Sequence, residues 1–388
     1  MSALDASDPL ARYRDLFAEA PGVVAYLDGN SLGRPLRASV ERVREFMAQQ
    51  WGGRLIRGWD EGWLEQGEQI GDELGRVTLG AATGQVSIGD STTVLLYKLV
   101  RAAVAARPGR TELVIDRDNF PTDRYLLEGI AAECGLTLRW IEPGDVTVDR
   151  IPLSEQTAVV VLSHVAYRSG FLADVEGITA AAHAVGALVV WDLCHSVGVV
   201  PTSLDEWGVD LAVGCTYKYL NGGPGSPAFA YVRADLQSQL RQPIQGWLGS
   251  AAPFEMGQGY EPADGIRGFL SGTPPVIGML AMRDMIALLD EVGITAVRQK
   301  SVALTSYAIE LIDELLPDVG ISTPRDPALR GSHITIDHPA FAAMVPQLWA
   351  QGVIPDFRRP AGIRLGLSPL STSFAEVEIG VRAIAALL

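Results

Sequence analysis

Three short, uninterrupted apolar runs constrain this chain more than any other feature. Residues 157–162 read TAVVVL, residues 187–191 read ALVVW, and residues 211–215 read LAVGC. None alternates with polar residues, so each predicts a strand buried on both faces. Such strands belong to a parallel or mostly parallel sheet with helices on both sides. The sequence between and around them fits. Residues 174–185 (DVEGITAAAHAV) predict a helix closed by Gly186, and residues 91–106 predict a helix after a short strand at 85–88. Further strands are expected at 112–116 and 136–141 and in AFAYVR after Pro227, with a loop and helix in DNFPTDRYLLEGIAAECG. The predicted class is α/β. In such sheets ligands sit beyond the carboxyl ends of the strands, and Ser163, Asp192 and Lys218 all fall there.

The flanking regions organise differently. A short amphipathic helix is expected at 9–20, an extended piece at 23–27, and a helix at 36–50 with Val40, Val43, Phe46 and Met47 at helical spacing. Trp51-Gly-Gly is expected to break that helix. Residues 54–63 then hold Arg57, Trp59, Asp60 and Trp63 in an irregular loop, either a surface plug or a wall of an aromatic-binding pocket. A helix is expected at 68–82 and a short helical turn within 197–207. Residues 241–275 are rich in Gly and Pro and read as irregular. A long helix at 278–292 leads into a smaller α+β region, with helices at 294–316 and 341–351 and strands near 333–336 and 363–366. The expected division is an N-terminal segment (1–60) packing on the small domain and the active site, a large domain (61–285) and a small C-terminal domain (286–388). A chain of 388 residues, 48% hydrophobic, has ample core for this.

Charge and composition narrow the partners. The net charge of −15 argues against nucleic acid and anionic membrane, and no apolar run approaches the roughly 20 residues of a membrane span. The N-terminus is polar and acidic rather than signal-like, so a cytoplasmic location is expected. Cys134, Cys194 and Cys215 are too few and too widely spaced for a disulfide framework or a zinc site, and no metal is expected.

The lysine count sharpens the reading of residues 211–227, LAVGCTYKYLNGGPGSP. The chain has only three lysines, Lys98, Lys218 and Lys300. An unpaired ammonium at the end of a core strand costs several kcal/mol. The position suits either a side chain that snorkels or an amine shielded to act as a nucleophile. Other residues are similarly two-sided alone. Ser91, Thr92 and Thr93 begin a helix, as an anion site or as ordinary caps. Asp192 is a ring-nitrogen partner or a turn residue. Phe120 is a stacking face or core, and His195 is near the site or structural. Taken together they match what pyridoxal phosphate needs: a lysine for its aldehyde, a carboxylate at its pyridine nitrogen, phosphate donors and a flat apolar contact. A nucleotide loop does not fit, because GGPGS follows its lysine and lacks GxxxxGK[ST].

These residues carry a resemblance. The chain resembles the kynureninase family, fold type I pyridoxal-phosphate enzymes of the class V aminotransferase group, over most of its length. The likeness shows in LDGNSLG (27–33), DSTTVLLYK, DNFPTD, SHVAYRSG, WDLCHSVG, VGCTYKYLNGGPGSP, GWLG and SGTPP. It implies that Lys218 forms the internal aldimine and moves the substrate Cα proton, and that Asp192 pairs with the pyridinium. It implies that Thr92, Thr93 and Tyr217 contact the cofactor, and that Phe120, Pro121, Thr122 and Asp123 lie against its ring with Ser163 and His195 nearby. Trp247 and Thr273 resemble positions that reach the phosphate from a second subunit, implying a homodimer with a shared site. Arg364 resembles the arginine that clamps the substrate carboxylate, Asn30 and Ser31 line the amino-acid end, and Trp59 is placed at the substrate ring. The implied reaction is hydrolysis of L-kynurenine to anthranilate and L-alanine, in tryptophan catabolism or NAD biosynthesis, with Tyr217 as the proton donor to carbon. Thr273 is implied to favour kynurenine over its 3-hydroxy analogue, and Leu248 stands where the family often has an aromatic residue. A cysteine desulfurase would need a nucleophilic cysteine in the C-terminal half, and none follows Cys215. A class V aminotransferase, or another Cβ–Cγ or Cβ–X lyase on the same fold, would share the cofactor site and remains the alternative reading.

Overall fold

The computed structural model describes residues 3–388. Its strands are β1 (Ala25–Leu27), β2 (Val86–Gly89), β3 (Glu112–Asp116), β4 (Thr137–Ile141), β5 (Thr157–Ser163), β6 (Leu188–Asp192), β7 (Leu211–Gly214), β8 (Ala228–Val232), β9 (Gly320–Ile321), β10 (His333–Asp337), β11 (Val353–Arg358) and β12 (Gly362–Gly366). A seven-stranded sheet has the order β2-β8-β7-β6-β5-β3-β4. Only β8 runs against its neighbours, pairing antiparallel with both β2 and β7. The class is α/β as expected.

The apolar runs explain the layering. Val159 and Val161 of β5, Leu188 and Val190 of β6, and Leu211 and Val213 of β7 face one cluster, with the Thr92–Ala105 and Pro121–Cys134 helices. Val160 and Leu162, Val189 and Trp191, and Ala212 face the other, with the Val175–Ala184 and Val276–Val292 helices. Period-two alternation thus sends consecutive residues into two separate cores. Each fully buried Val, Leu or Ile contributes about 1.5–3 kcal/mol, so both faces hold helices firmly. The Trp191 indole donates to Thr179 Oγ1 at 3.1 Å, satisfying the one polar atom such a ring buries.

The second sheet has the order β1-β11-β12-β10-β9. β1, from the N-terminal segment, lies parallel to β11, so residues far apart in sequence share this sheet. The Ile294–Leu315 and Phe374–Leu387 helices cover it. The strand β11 and the C-terminal helix have no counterpart in the sequence reading, which named only two strands and two helices in this region.

Several expectations need correction. Residues 9–20 hold a single short 3-10 turn, Ala11–Leu16, rather than an amphipathic helix. Trp51-Gly-Gly does not break the second helix: Arg37–Glu45 continues through wide π-type turns at Phe46–Trp51 and a last turn at Gly52–Arg54. The break comes at Leu55, whose φ is +54°. Val40 and Met47 point to solvent while Phe46 is buried. Likewise Gln66–Leu74 widens over Gly75–Leu79 and stops at left-handed Gly80. Residues 197–207 form turns without a helix.

Candidate active site

The site assembles because three parallel strands end at one level. In the register, Ser163 of β5 faces Asp192 of β6, and Asp192 faces Val213 of β7. Beyond β7 the chain turns through Thr216, Tyr217 and Lys218. Thr216 Oγ1 donates to Pro227 O at 2.5 Å and its carbonyl accepts from Gly222 N at 2.9 Å, closing the Gly/Pro loop on itself. The N-terminal turn then caps this loop. Gly33 N donates to Tyr217 O at 2.9 Å, and a Cβ at Gly33 would lie 2.3 Å from Lys218 O. Only glycine permits that approach.

A cavity of about 140 Å³ opens here, lined by Thr92, Thr93, Phe120, Thr122, Asp123, Asp192, His195, Tyr217 and Lys218 among others. Lys218 is 8% exposed. Its Nζ lies 3.4 Å from Nδ1 of His195, and 5.8 Å from the ring centres of both Phe120 and Tyr217. The other two lysines are also buried, but each has a carboxylate. Lys98 pairs with Asp90 at 2.6 Å, and Lys300 pairs with Asp8. Among the described residues Lys218 makes no ion pair. Burial of that kind is paid for by function rather than by stability.

The acids and bases around it are held in defined states. Asp192 Oδ1 accepts from Cys194 N at 2.7 Å, and Oδ2 accepts from Ser163 Oγ at 3.4 Å. Burial, with the charges of Asp192 and Asp116, pushes the Asp123 carboxyl well up, and its Oδ2 has no partner in the protein. Asn119 Nδ2 is a second buried polar atom without a partner, while its Oδ1 accepts from Ser163 Oγ at 2.8 Å. Burial also raises the Tyr217 hydroxyl, keeping it a proton donor. The His195 imidazole is pushed well below its usual range, first by burial and then by Lys218 and Arg364. A neutral imidazole has one donor and one acceptor. Arg364 Nη1 sits 3.5 Å from Nε2, and the Lys218 amine sits 3.4 Å from Nδ1, so the ring lies between two donor groups.

Arg364 comes from β12 of the second sheet and is 1% exposed. Its Nη2 donates to Ser31 Oγ at 2.6 Å and its Nη1 to Tyr167 O at 2.7 Å. The Asn30 amide, oriented to satisfy its neighbours, accepts from Arg364 Nε at 3.0 Å. Asn30, Ser31 and Arg364 therefore meet across a gap of more than 300 residues, reaching Lys218 through His195.

Orphaned polar atoms on Asp123 and Asn119, an unpaired amine and a flat Phe120 face make a set that pyridoxal phosphate fits. The first N–H groups of the Thr92–Ala105 helix lack intrahelical acceptors, as at any helix start. Ser91 caps Val94 N, leaving the Thr92 and Thr93 hydroxyls for an anionic group. Pro121 sits at the first position of its helix and does not line the cavity. Ser163 stands behind Asp192 and lines a neighbouring cavity of about 210 Å³ with Asn119 and Arg168.

Trp59, Trp247 and Thr273 also lie away from this cavity within their own chain. Trp59 packs edge-on to Trp63 at 5.3 Å, against Phe46, Val276 and Leu280. Gly58 lets the Trp63 ring close over the backbone, so this loop plugs the helix surface instead of forming a wall of the Lys218 pocket. Trp247 is partly exposed and packs edge-on to Phe254 at 5.8 Å. Thr273 lines a small separate cavity beside Asp90 and Ser271. Conversely, Cys194, Cys215 and Ser226 line the main cavity and were not singled out from sequence. Cys194 and Cys215 flank Asp192 and Lys218 closely enough for adjacency to have flagged them. Ser226 arrives only through the loop closure at Thr216 and carries no local signal.

Comparison with known proteins places this geometry in context. The profile of the kynureninase C-terminal domain matches residues 297–384. The chain is 40% identical to kynureninase from Pseudomonas fluorescens, over 100% of this chain and 94% of the relative. It is 40% identical to kynureninase from Burkholderia pseudomallei strain K96243, over 97% and 91%. In fold it resembles a cysteine desulfurase from Thermococcus onnurineus NA1, with a TM-score of 0.77, 18% identity and 94% of each chain covered. It also resembles the cystine C–S lyase C-DES holding glycine covalently linked to its PLP cofactor, with a TM-score of 0.82, 17% identity, and 96% and 98% covered.

Proposed function

This chain belongs to the kynureninase family, and on that premise we propose that it hydrolyses L-kynurenine to anthranilate and L-alanine, using pyridoxal phosphate. The observation that carries the reading is Lys218, a buried amine with no carboxylate partner, set among Asp192, Phe120 and Tyr217. Pyridoxal phosphate, attached through Lys218, supplies an electron sink for charge developing at the substrate Cα. Asp192 holds a proton on the ring nitrogen. Phe120 offers its face to the ring, and Thr92, Thr93 and Tyr217 serve the phosphate. Arg364 takes the α-carboxylate in bidentate fashion. With the substrate amine bound beside it, Lys218 would take the Cα proton and later return it. Water adds at the γ-carbonyl, the Cβ–Cγ bond breaks, and Tyr217 delivers a proton to the released carbon.

We further propose a homodimer in which Trp247 and Thr273 serve the partner's cavity. Both are accessible here, with Phe254 and Met256 exposed beside Trp247. Three unpaired cysteines suit a reducing compartment, and we place the protein in the cytoplasm, in tryptophan catabolism. Incubation with L-kynurenine and its 3-hydroxy analogue, followed by anthranilate-type fluorescence, tests the reaction. A keto-acid half-reaction without fluorescence would assign an aminotransferase instead.

A further inference from the structure

We propose that Asp28 is a positioning residue for the substrate-carboxylate clamp, fixing Asn30 and Ser31 as two acceptors on the Arg364 guanidinium. This deepens the reading of Arg364 as that clamp and rests on it. The turn after β1 is stitched to the strand that carries Arg364. Asp28 bridges Gly366 in parallel, Gly29 N donates to Gly366 O at 3.1 Å, and Ser31 N donates to Asp28 O at 3.0 Å. Asp28 Oδ1 accepts from the Asn30 amide nitrogen at 3.3 Å, while the Asn30 oxygen accepts from Arg364 Nε at 3.0 Å. The Ser31 hydroxyl favours the ionised form of the Asp28 carboxylate, while its oxygen accepts from Arg364 Nη2 at 2.6 Å.

Elementary hydrogen-bond inventory makes this pair directional. A carboxylate only accepts, a guanidinium only donates, and both intervening groups do one of each. With Asp28 ionised, Asn30 and Ser31 must both present oxygen to Arg364. A guanidinium has five hydrogens. Asn30, Ser31 and Tyr167 O take three, leaving one on Nη2 for a ligand carboxylate and one on Nη1 that a ligand would share with His195 Nε2 at 3.5 Å. Asp356 Oδ2 lies 2.8 Å from Arg364 Nη2 and 2.6 Å from Arg358 Nε, but out of hydrogen-bond alignment with both. It therefore neutralises the pair without occupying the clamp.

Protonating Asp28 would turn one of its oxygens into a donor and reverse either Asn30 or Ser31. Burial pushes this carboxyl up to about 6, with the Ser31 bond opposing and Asp356 adding to the rise. Arg364 and Arg358 oppose it too, and the Tyr26 and Tyr219 hydroxyls face the same group. The clamp is thus set to weaken at mildly acidic pH.

The test is steady-state kinetics of the holoenzyme on L-kynurenine across pH, for the unaltered protein, Asp28→Asn and Arg364→Lys. Asp28→Asn is expected to raise KM about tenfold with kcat within about threefold. The unaltered protein is expected to show KM rising below about pH 6, a limb absent from Asp28→Asn. If Arg364→Lys raises KM while Asp28→Asn does not, the inference falls and the clamp stands. If Arg364→Lys leaves KM unchanged, the clamp reading itself falls. Should Asp28→Asn fail to fold, a KM in the unaltered protein that stays flat through that pH range overturns the inference.

Discussion

Nζ of Lys218 lies 3.4 Å from Nδ1 of His195. The same imidazole meets Arg364 on its other side at 3.5 Å. One neutral ring therefore joins the amine on the large sheet to the guanidinium on the small one. In the proposed reaction it sets the spacing between the group that works at Cα and the group that holds the α-carboxylate.

The three buried lysines separate stability from chemistry. Lys98 bonds Asp90 at 2.6 Å and Phe269 O at 2.7 Å, so Lys98→Ala strands two partners. We expect it to destabilise the protein by about 2–4 kcal/mol in urea unfolding, discounted from a fully buried pair because Asp90 is partly exposed. Lys218→Ala strands no charge, so the cofactor-free protein should unfold within about 1 kcal/mol of the parent. It should lose covalent cofactor: borohydride followed by peptide mass analysis should label residue 218 in the parent and nothing in the variant. Equal destabilisation by both changes would contradict the distinction.

Tyr217→Phe removes a proton donor whose hydroxyl burial keeps protonated. We expect kcat to fall about 10²–10³-fold with the cofactor's absorbance retained. A variant within threefold of the parent would remove Tyr217 from the proton-transfer role.

His164 predicts an acid-side loss of stability. Burial lowers its folded-state value to about 3, below the ordinary 6.5, and its Nδ1 has no partner. Above 6.5 both folded and unfolded forms are neutral, so it contributes no pH dependence there. Below 6.5 the unfolded chain gains a proton that the folded chain refuses, so stability falls as pH drops toward 3. From pH 7 to pH 5 this amounts to about 2 kcal/mol. His164→Phe, which keeps an edge contact with Trp207, should flatten that part of the denaturation profile. The same slope in the variant would assign the loss to other groups, His195 and His333 first, since burial lowers both.

Gly366→Ala should act on the clamp from the backbone side. A Cβ there would lie 1.8 Å from the Asn30 amide nitrogen, the end that faces Asp28, displacing the amide whose oxygen meets Arg364. KM for kynurenine should rise by about tenfold while cofactor absorbance stays unchanged. An unchanged KM would show that Asn30 is not needed to orient Arg364.

Much of the large sheet was legible because its signal is local. Uninterrupted apolar strands and their helices announce both faces, and the polar residues Ser163 and Asp192 at their ends follow from position alone. The small sheet was partly legible: β1, β10 and β12 were marked by short extended runs, but β11 was not, since its sequence VIPDFR carries a proline and two charged residues in place of a clear strand pattern. The wide turns after Glu45 and Leu74 were not legible at all, because one extra residue per turn leaves the composition unchanged.

Sequence by itself determined the layered architecture, the placement of a lysine and a carboxylate at strand ends, and the family. Those depend on hydrophobic periodicity and on residue type, which act over a few positions. Tertiary structure alone decided that Asp28, Asn30, Ser31, Arg364 and His195 form one hydrogen-bonded chain, and that Trp59 packs away from Lys218. The reason is that directional bonds between distant segments depend on how two sheets are set against each other. No local propensity encodes that arrangement.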